Sequence, residues 1–277
     1  MKTNSFRMIT GIVALIIYSG TMFSQRTIKV KNFIENLPKI ELKENTPQKY
    51  IMVTDNKDYD IYGNFRKKTR ISGEYTRGLK NDSVIWNNVR IAQSQKLYEP
   101  FTAGIVQNYM ENFTYIPSGE IIKESFFKEI PKIDVQMKTL VWDMFTFELY
   151  AWNFWDQLKL NLEYPANQIN FAVQIEGIGA IENKDVRITW TGITKKNGKL
   201  CAIITFIALN NPLNFDIQNI IIKGRTHYWG NIYVSLSDKQ IEFGELHEDI
   251  LMDVIMNEQE PGKKSYSTRK ITLDRIH

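Results

Sequence analysis

The stretch that follows Pro165 most constrains the fold of this chain, because it reads as an almost continuous series of strands. Apolar and β-branched runs alternate there with short turn signals, the segments ENKD, KNGK, NNPLN, SDK and EPGKK. The strongest signal is Asn197–Gly198, since both residues tolerate the positive φ that a two-residue type I′ hairpin requires. We therefore expect 186–196 and 199–209 to be adjacent antiparallel strands. Strands joined by short turns without intervening helices predict an antiparallel meander.

Upstream of Pro165 the sequence predicts fewer strands and one long helix. A strand is expected at 49–54, and two more surround the turn LKND. Residues 96–133 are irregular and are punctuated by prolines. The helix is predicted at about 134–160. The predicted fold class is therefore α+β and mostly β, a curved antiparallel sheet (a half-barrel) packed on one long aromatic helix.

The segment LVWDMFTFELYAWNFWDQLKL, residues 140–160, holds three of the six tryptophans. At about 100° per residue it has the apolar stripe of an amphipathic helix. The stripe contains Leu140, Met144, Phe147, Ala151, Phe154, Trp155 and Leu158, and a second apolar flank contains Trp142, Phe145, Leu149 and Trp152. Asp143 falls on the narrow polar side. Four ionisable residues within the segment make a membrane span unfavourable, so we expect a helix enclosed by the rest of the fold.

Glu148 falls inside the apolar arc of this helix, where an unpaired carboxylate would be costly. One hypothesis makes it the polar anchor of an apolar ligand cavity. The residues expected to line that cavity are Trp142, Phe145, Trp152 and Trp155. The alternative is that Glu148 reaches solvent at an edge or pairs with a strand arginine such as Arg187 or Arg225.

Two segments near the C-terminus carry further candidate site residues. In RTHYWG, His227 and Trp229 share one strand face and could form a polar pocket wall or a cross-strand stack. In GELHEDILMD, Glu245, His247 and Asp249 share one face of a strand. Alternate strand residues stand about 7 Å apart, so these three cannot all reach one zinc ion at about 2 Å, and no metal or other cofactor is expected.

No catalytic residue is assigned from the sequence. It contains no nucleophile elbow, P-loop or dinucleotide fingerprint. A pair of glycosidase-type carboxylates needs no local motif and stays open. Cys201 is the only cysteine and lies in an apolar strand, which favours a structural role over a reactive thiol.

The N-terminus has the order of a secretory signal peptide. Lys2 and Arg7 precede an apolar run of 11 residues, and small residues follow it. That run is shorter than the about 20 residues of a spanning helix, although an uncleaved anchor is the alternative. We predict a signal peptide at 1–24, a lead-in at 25–48 and one β-rich domain at 49–277. The chain is expected to be exported to the periplasm or secreted, without a lipid anchor, because no cysteine lies near the cleavage point.

Removal of Lys2 and Arg7 lowers the net charge from +4 to +2. That value is too mild to indicate nucleic acid as a partner.

The segments LVWD, ELYAWNFWDQLKL, NGKLCAIITF and KGRTHYWGNIYVSL together resemble a set of exported bacterial proteins that bring no activity to carry over. The predicted sheet with a helix in its concavity also resembles the half-barrel of periplasmic lipoprotein carriers, a likeness of architecture that does not determine function. We expect a non-catalytic envelope protein that binds an apolar ligand or an envelope-protein partner. The alternatives are a hydrolase with scattered carboxylates and a structural module whose concave face is filled by its own helix.

Overall fold

The computed structural model describes residue 42 and residues 46–131, 134–217, 220–256 and 262–277. The predicted signal peptide at 1–24 and nearly all of the predicted lead-in at 25–48 lie outside the described residues. Across the described ranges, no helix combines the length and the apolar character needed to cross a bilayer.

The described residues form one antiparallel sheet of thirteen strands and one α-helix, so the chain is mostly β. The strands are β1 Gln48–Asp60, β2 Phe65–Arg77, β3 Val84–Ser94, β4 Ile105–Val106, β5 Phe113–Tyr115, β6 Glu163–Pro165, β7 Ala172–Ile175, β8 Gly179–Glu182, β9 Arg187–Lys196, β10 Lys199–Ile217, β11 Ile220–Ser235, β12 Ile241–Ile255 and β13 Lys263–Ile276. The helix is α1 Val135–Glu148.

The sheet order is β4-β3-β2-β1-β13-β12-β11-β10-β8-β7, with β5 beside β3, β9 beside β10, and β6 beside β9. The first and last described strands, β1 and β13, therefore pair along twelve register positions and join the two meanders of the chain. The predicted hairpin at Asn197–Gly198 is confirmed, because Lys196 pairs with Lys199 and both turn residues have positive φ.

The predicted turn NNPLN is wrong, because β10 continues through it to Ile217. A bulge between Ala208 and Asn211 interrupts the register at this place, and Asn210 has φ 59°. The Asn211 amide is fully buried and donates to the carbonyl oxygens of Ala208 at 3.2 Å and Thr226 at 3.3 Å. Side-chain hydrogen bonds at a bulge thus take the place of the chain reversal that the polar residues suggested.

One face of the sheet, which we call the helix face, packs against α1, and the opposite face we call the open face. On β12, Gly244, Leu246 and Glu248 are buried, whereas Glu245 and His247 between them are partly exposed. A Cβ atom added to Gly244 would lie 2.7 Å from a ring carbon of Phe147 on α1. The period-2 alternation of a strand thus assigns the even positions of β12 to the helix face.

The core on the helix face includes an aromatic stack from three neighbouring strands. The rings of Tyr50 and Tyr75 lie 4.9 Å apart, and those of Tyr75 and Trp86 lie 4.8 Å apart. The Trp86 indole donates to the Tyr115 hydroxyl at 3.2 Å, and that hydroxyl contacts the Met144 sulfur at 3.5 Å. This chain of contacts connects the first strands of the sheet to α1.

The segment predicted as one helix at 134–160 is divided in the structure. Asp134 caps α1 by accepting from the Met137 amide at 3.2 Å, and α1 ends at Glu148. A π-helical turn follows at Leu149–Asn153, and a 3₁₀ turn lies at Trp155–Gln157. Six residues of the predicted stripe are buried: Leu140, Met144, Phe147, Ala151, Phe154 and Leu158.

Contacts with the sheet accompany this change of helical pitch. In the π-helical turn, the Tyr150 ring stacks 4.7 Å from that of Phe206 and its hydroxyl lies 2.7 Å from that of Tyr228. In the same turn the Trp152 indole donates to the carbonyl oxygen of Lys239 at 2.6 Å. A π turn aims side chains differently from a 3.6-residue helix, so tertiary contacts override the periodicity of the sequence here.

Candidate functional site

Glu148 is paired with Arg77, the last residue of β2. Only 6% of Glu148 is exposed, and the Arg77 Nε donates to its Oε1 at 2.5 Å. The same guanidinium donates to Asp82 at 2.7 Å and lies 4.4 Å from the centre of the Trp152 ring. The expectation of an arginine partner is met, but by an arginine of the N-terminal meander.

The prediction that Glu148 pairs with Arg187 or Arg225 is wrong. Arg187 instead lies 3.6 Å from Glu163 and 3.5 Å from Asp185. Arg225 is an exposed residue of β11. Both candidates came from the C-terminal meander, whereas Arg77 lies beyond the β1–β13 junction, and that junction cannot be recognised from local sequence.

Asp143 is the second buried acid of α1, and its predicted place on a polar strip is wrong. Arg269 of β13 donates to Asp143 and also to Glu248 of β12. Glu248 further accepts from the Thr226 hydroxyl at 2.6 Å. One guanidinium therefore serves two buried carboxylates, which leaves this group of side chains with surplus negative charge when both acids are ionised.

Burial changes the proton affinity of both helix acids. It raises the pKa of Asp143 to about 6, an effect that Glu248 reinforces and Arg269 opposes. It raises the pKa of Glu148 to about 7 against the opposing attraction of Arg77. In both cases the loss of hydration is larger than the gain from the arginine.

A third charge cluster lies around Glu242, next to the β11–β12 connection, and sequence reasoning missed it. Glu242 is fully buried and pairs with Lys199 at 2.9 Å, with Arg275, and with the His277 Nε2 at 2.7 Å. Asp238 also pairs with Lys199 at 3.0 Å. Opposite charges here come from three strands or their ends, so no local motif could have revealed the cluster.

The aromatic residues predicted to line one cavity do not share a single set of contacts. The Trp142 indole donates to the Ile121 carbonyl at 2.8 Å and meets the Phe127 ring edge-on at 5.8 Å. The Trp155 ring lies 5.8 Å from that of Trp190. Trp152 joins Arg77 and Lys239, as described above, and Phe145 is half-buried. The structure brings Glu148 and Trp152 together through Arg77. Trp155 lies near Trp152, because the Lys239 ammonium is 5.6 Å from the centre of its ring, whereas Trp142 packs against another part of the chain.

His227 and Trp229 lie on the open face of β11. The Trp229 ring stacks on His247 of β12 with centres 5.9 Å apart and planes 16° apart, as in the predicted cross-strand stack. Trp229 is 39% exposed. The His227 Nδ1 accepts from the Asn210 amide at 3.3 Å.

Glu245, His247 and Asp249 share the open face of β12. The His247 Nε2 lies 3.7 Å from Glu245, and Asp249 accepts from the Tyr266 hydroxyl at 3.0 Å. Among the described residues, no group of three or more histidine, cysteine and acidic side chains could hold a metal ion. Cys201 is buried, and burial raises its pKa to about 11, which suppresses the thiolate.

The sheet, α1 and the arginine–carboxylate pairs between them define a mostly β protein with an ion-paired internal helix. No protein-family model matches the chain, and a search of curated proteins finds no match.

Proposed function

We propose that the protein is an exported, non-catalytic binding protein of the bacterial cell envelope, built as a half-barrel whose concave face is filled by its own helix. The observation that carries this proposal is the fit of Phe147 against Gly244. A Cβ atom at position 244 would lie 2.7 and 2.8 Å from two carbons of the Phe147 ring. Glycine weakens a strand interior, so its presence where the Phe147 ring packs against β12 supports a permanent seat for α1.

The acids of the interface support a non-catalytic role. Asp143 and Glu148 are each engaged by an arginine and face protein on the helix face of the sheet. Their charges thereby attach α1 to β2 and β13.

A filled concave face moves partner binding to the open face. Trp229 is exposed there, is held flat against His247, and lies on the same strand face as the exposed Arg225. Tryptophan and arginine are enriched in protein–protein interfaces, where they supply most of the binding energy. We therefore take the ligand to be an envelope protein that covers Trp229.

Carriage of an apolar ligand is the second candidate, and it would require α1 to leave the sheet. The raised pKa values of Asp143, about 6, and Glu148, about 7, favour it, because they show that the charges seating α1 are costly to bury. A helix held by costly pairs is easier to displace than one held by apolar contacts alone.

Native mass spectrometry of protein purified from its own periplasm separates these two candidates. The filled half-barrel predicts the mass of the mature chain alone, whereas a co-purifying lipid would support carriage. The fluorescence of an apolar dye gives a second measurement. We expect no enhancement with the wild type and a clear enhancement with Phe147→Ala, because deleting a buried ring opens a cavity.

Phe145→Ala is the matched control, since Phe145 lies on the same helix but is only half-buried. Dye binding by the wild type as strong as that by Phe147→Ala would contradict the filled concave face.

Photo-crosslinking in the native host tests the partner surface. A photoreactive residue at position 229 should give a discrete crosslinked product. The same residue at position 62, where Tyr62 is 87% exposed in a turn, should give none. Equal labelling from the two positions would show that exposure alone explains the product and would refute a specific surface at Trp229.

A further inference from the structure

A cleft on the open face of β1 and β2 lies apart from both α1 and Trp229. Residues of the segment that follows β3 form, with these strands, a half-open cavity of about 380 Å³. The cavity is lined by Asp55, Asn56, Lys57, Lys68, Arg70, Leu97, Pro100 and Phe101. Its volume is within the range of small-molecule sites.

The charge pattern of this cleft is unfavourable for folding alone. Lys57 and Lys68 are directly opposite each other in the β1–β2 register, and like charges in that position destabilise a sheet. Only 6% of Lys68 is exposed. In the part of the chain that the structure describes, neither ammonium forms an ion pair with a carboxylate.

The hydrogen bonds of Lys68 leave it able to receive an anion. Its ammonium donates to the neutral carbonyl oxygens of Leu97, at 3.0 Å, and Glu99. An ammonium has three N–H donors, so one remains after these two bonds. The carbonyls hold Lys68 in place and do not neutralise its charge.

The remaining charges of the cleft cancel each other. Arg70 donates twice to Asp55, at 2.7 Å each. The Phe101 ring lies 4.7 Å from both the Lys68 ammonium and the Arg70 guanidinium, which fixes the wall of the cleft against the cations. The excess charge is therefore that of Lys57 and Lys68, two positive units.

We propose that this cleft binds the phosphate group of a phosphomonoester. A phosphate monoester carries close to two negative charges at neutral pH and accepts several hydrogen bonds, which matches the excess charge and the free donors of the two lysines. A soluble ester and a lipid headgroup both present this group. The proposal goes beyond the protein-binding function proposed above and does not depend on Trp229 or on α1.

Calorimetric titration of the purified mature chain with glycerol phosphate tests the site, and we expect a dissociation constant of about 1 mM or lower. Lys57→Gln should weaken binding about fivefold, and Lys68→Met should weaken it at least as much. Asp55→Asn should tighten binding about fivefold, because it raises the excess charge of the cleft. A merely structural role for these residues would not produce opposite effects from the two signs of charge.

Lys67→Gln is the matched control. Lys67 is the neighbour of Lys68 on β2, is exposed, and lies 3.7 Å from Asp58, so its loss should leave binding unchanged. Because Lys68 donates to the Leu97 and Glu99 carbonyls, Lys68→Met could unfold the segment after β3. Lys57 is exposed and holds no such segment, so Lys57→Gln tests the charge of the cleft without that effect. If neither glycerol phosphate nor phosphatidic acid vesicles bind, or if Lys57→Gln and Lys67→Gln weaken binding equally, the proposal is overturned.

Sedimentation with phosphatidic acid vesicles, against phosphatidylcholine vesicles, identifies the source of the phosphate. Binding to phosphatidic acid that Lys57→Gln weakens, without binding of glycerol phosphate, would assign a lipid headgroup. Binding of glycerol phosphate without vesicle binding would assign a soluble ester. A failure of crosslinking at position 229 would leave either result intact, so the two proposals fail separately.

Discussion

Replacing Asp143 by asparagine is expected to stabilise the protein at neutral and alkaline pH, although Asp143 belongs to a buried ion pair. Burial raises its pKa from 3.8 to about 6, so the folded state binds this proton more tightly than the unfolded state. Two pKa units correspond to about 3 kcal/mol. Ionisation therefore costs the folded state about 3 kcal/mol above pH 6, part of that between about pH 4 and 6, and nothing below that window.

Asparagine resembles the protonated acid in shape and charge, and it leaves Arg269 paired with Glu248 alone. The free energy of unfolding of Asp143→Asn should exceed that of the wild type by up to about 3 kcal/mol near pH 8. The difference should disappear as the pH falls to about 4. Urea unfolding followed by tryptophan fluorescence at several pH values measures both quantities.

Asp156→Asn is the control, because Asp156 lies in the 3₁₀ turn after α1 and is exposed. It should change stability little at any pH. A variant Asp143→Asn that is less stable than the wild type at pH 8, or a difference that does not vary with pH, would refute the view that ionised Asp143 is a net cost.

Three further substitutions or modifications test separate contacts. Arg269→Met leaves two buried carboxylates without a cation, so urea unfolding at neutral pH should show a loss of about 3–5 kcal/mol that shrinks in acid; an unchanged midpoint would contradict the pairing. Gly244→Ala forces a Cβ atom against the Phe147 ring, and a thermal melt should show a loss of about 1–3 kcal/mol; an unaltered melt would show that α1 is not seated there. Cys201 should resist a thiol reagent near pH 8 in the folded state and react rapidly in urea, since burial raises its pKa to about 11; fast labelling of the native protein would show an accessible thiolate.

Local signals in the sequence predicted the mostly β character and several hairpins, but they missed some element boundaries and all long-range partners: β1 continues to Asp60, and α1 ends at Glu148. The Asn197–Gly198 hairpin was predictable because a type I′ turn needs only the positive φ of two residues. The β1–β13 pairing joins residues more than 200 positions apart, and no turn residue signals such a contact. At NNPLN the error is that a local signal was present but misleading. A bulge with a buried asparagine has the same residue types as a chain reversal.

For the candidate site, too, the sequence predicted local features but not the partners that come from distant strands. Burial of Leu140, Met144 and Phe147 follows from helical spacing, as does the unusual place of Glu148 inside the apolar arc. For Arg269, the alternation of strand residues would have indicated the face of the sheet on which it lies. Arg269 has the same parity as Ile271 and Leu273, which are fully buried, so it had to face the same side as they do.

The two arginine–carboxylate pairs of α1 explain how a helix with a near-repeating apolar stripe keeps one position on the sheet. Leu140, Met144 and Phe147 are three or four residues apart, so sliding by one turn would replace one apolar side chain by another of similar size. The acids do not repeat in that way, because Asp143 and Glu148 are five residues apart and their arginines lie on strands from opposite ends of the chain. A slide of one turn would leave the carboxylates of Asp143 and Glu148 buried without their arginines, at several kcal/mol for each, whereas Arg269 would keep Glu248 and Arg77 would keep Asp82. We therefore infer that these pairs determine the register of α1, while the apolar contacts supply most of its attachment.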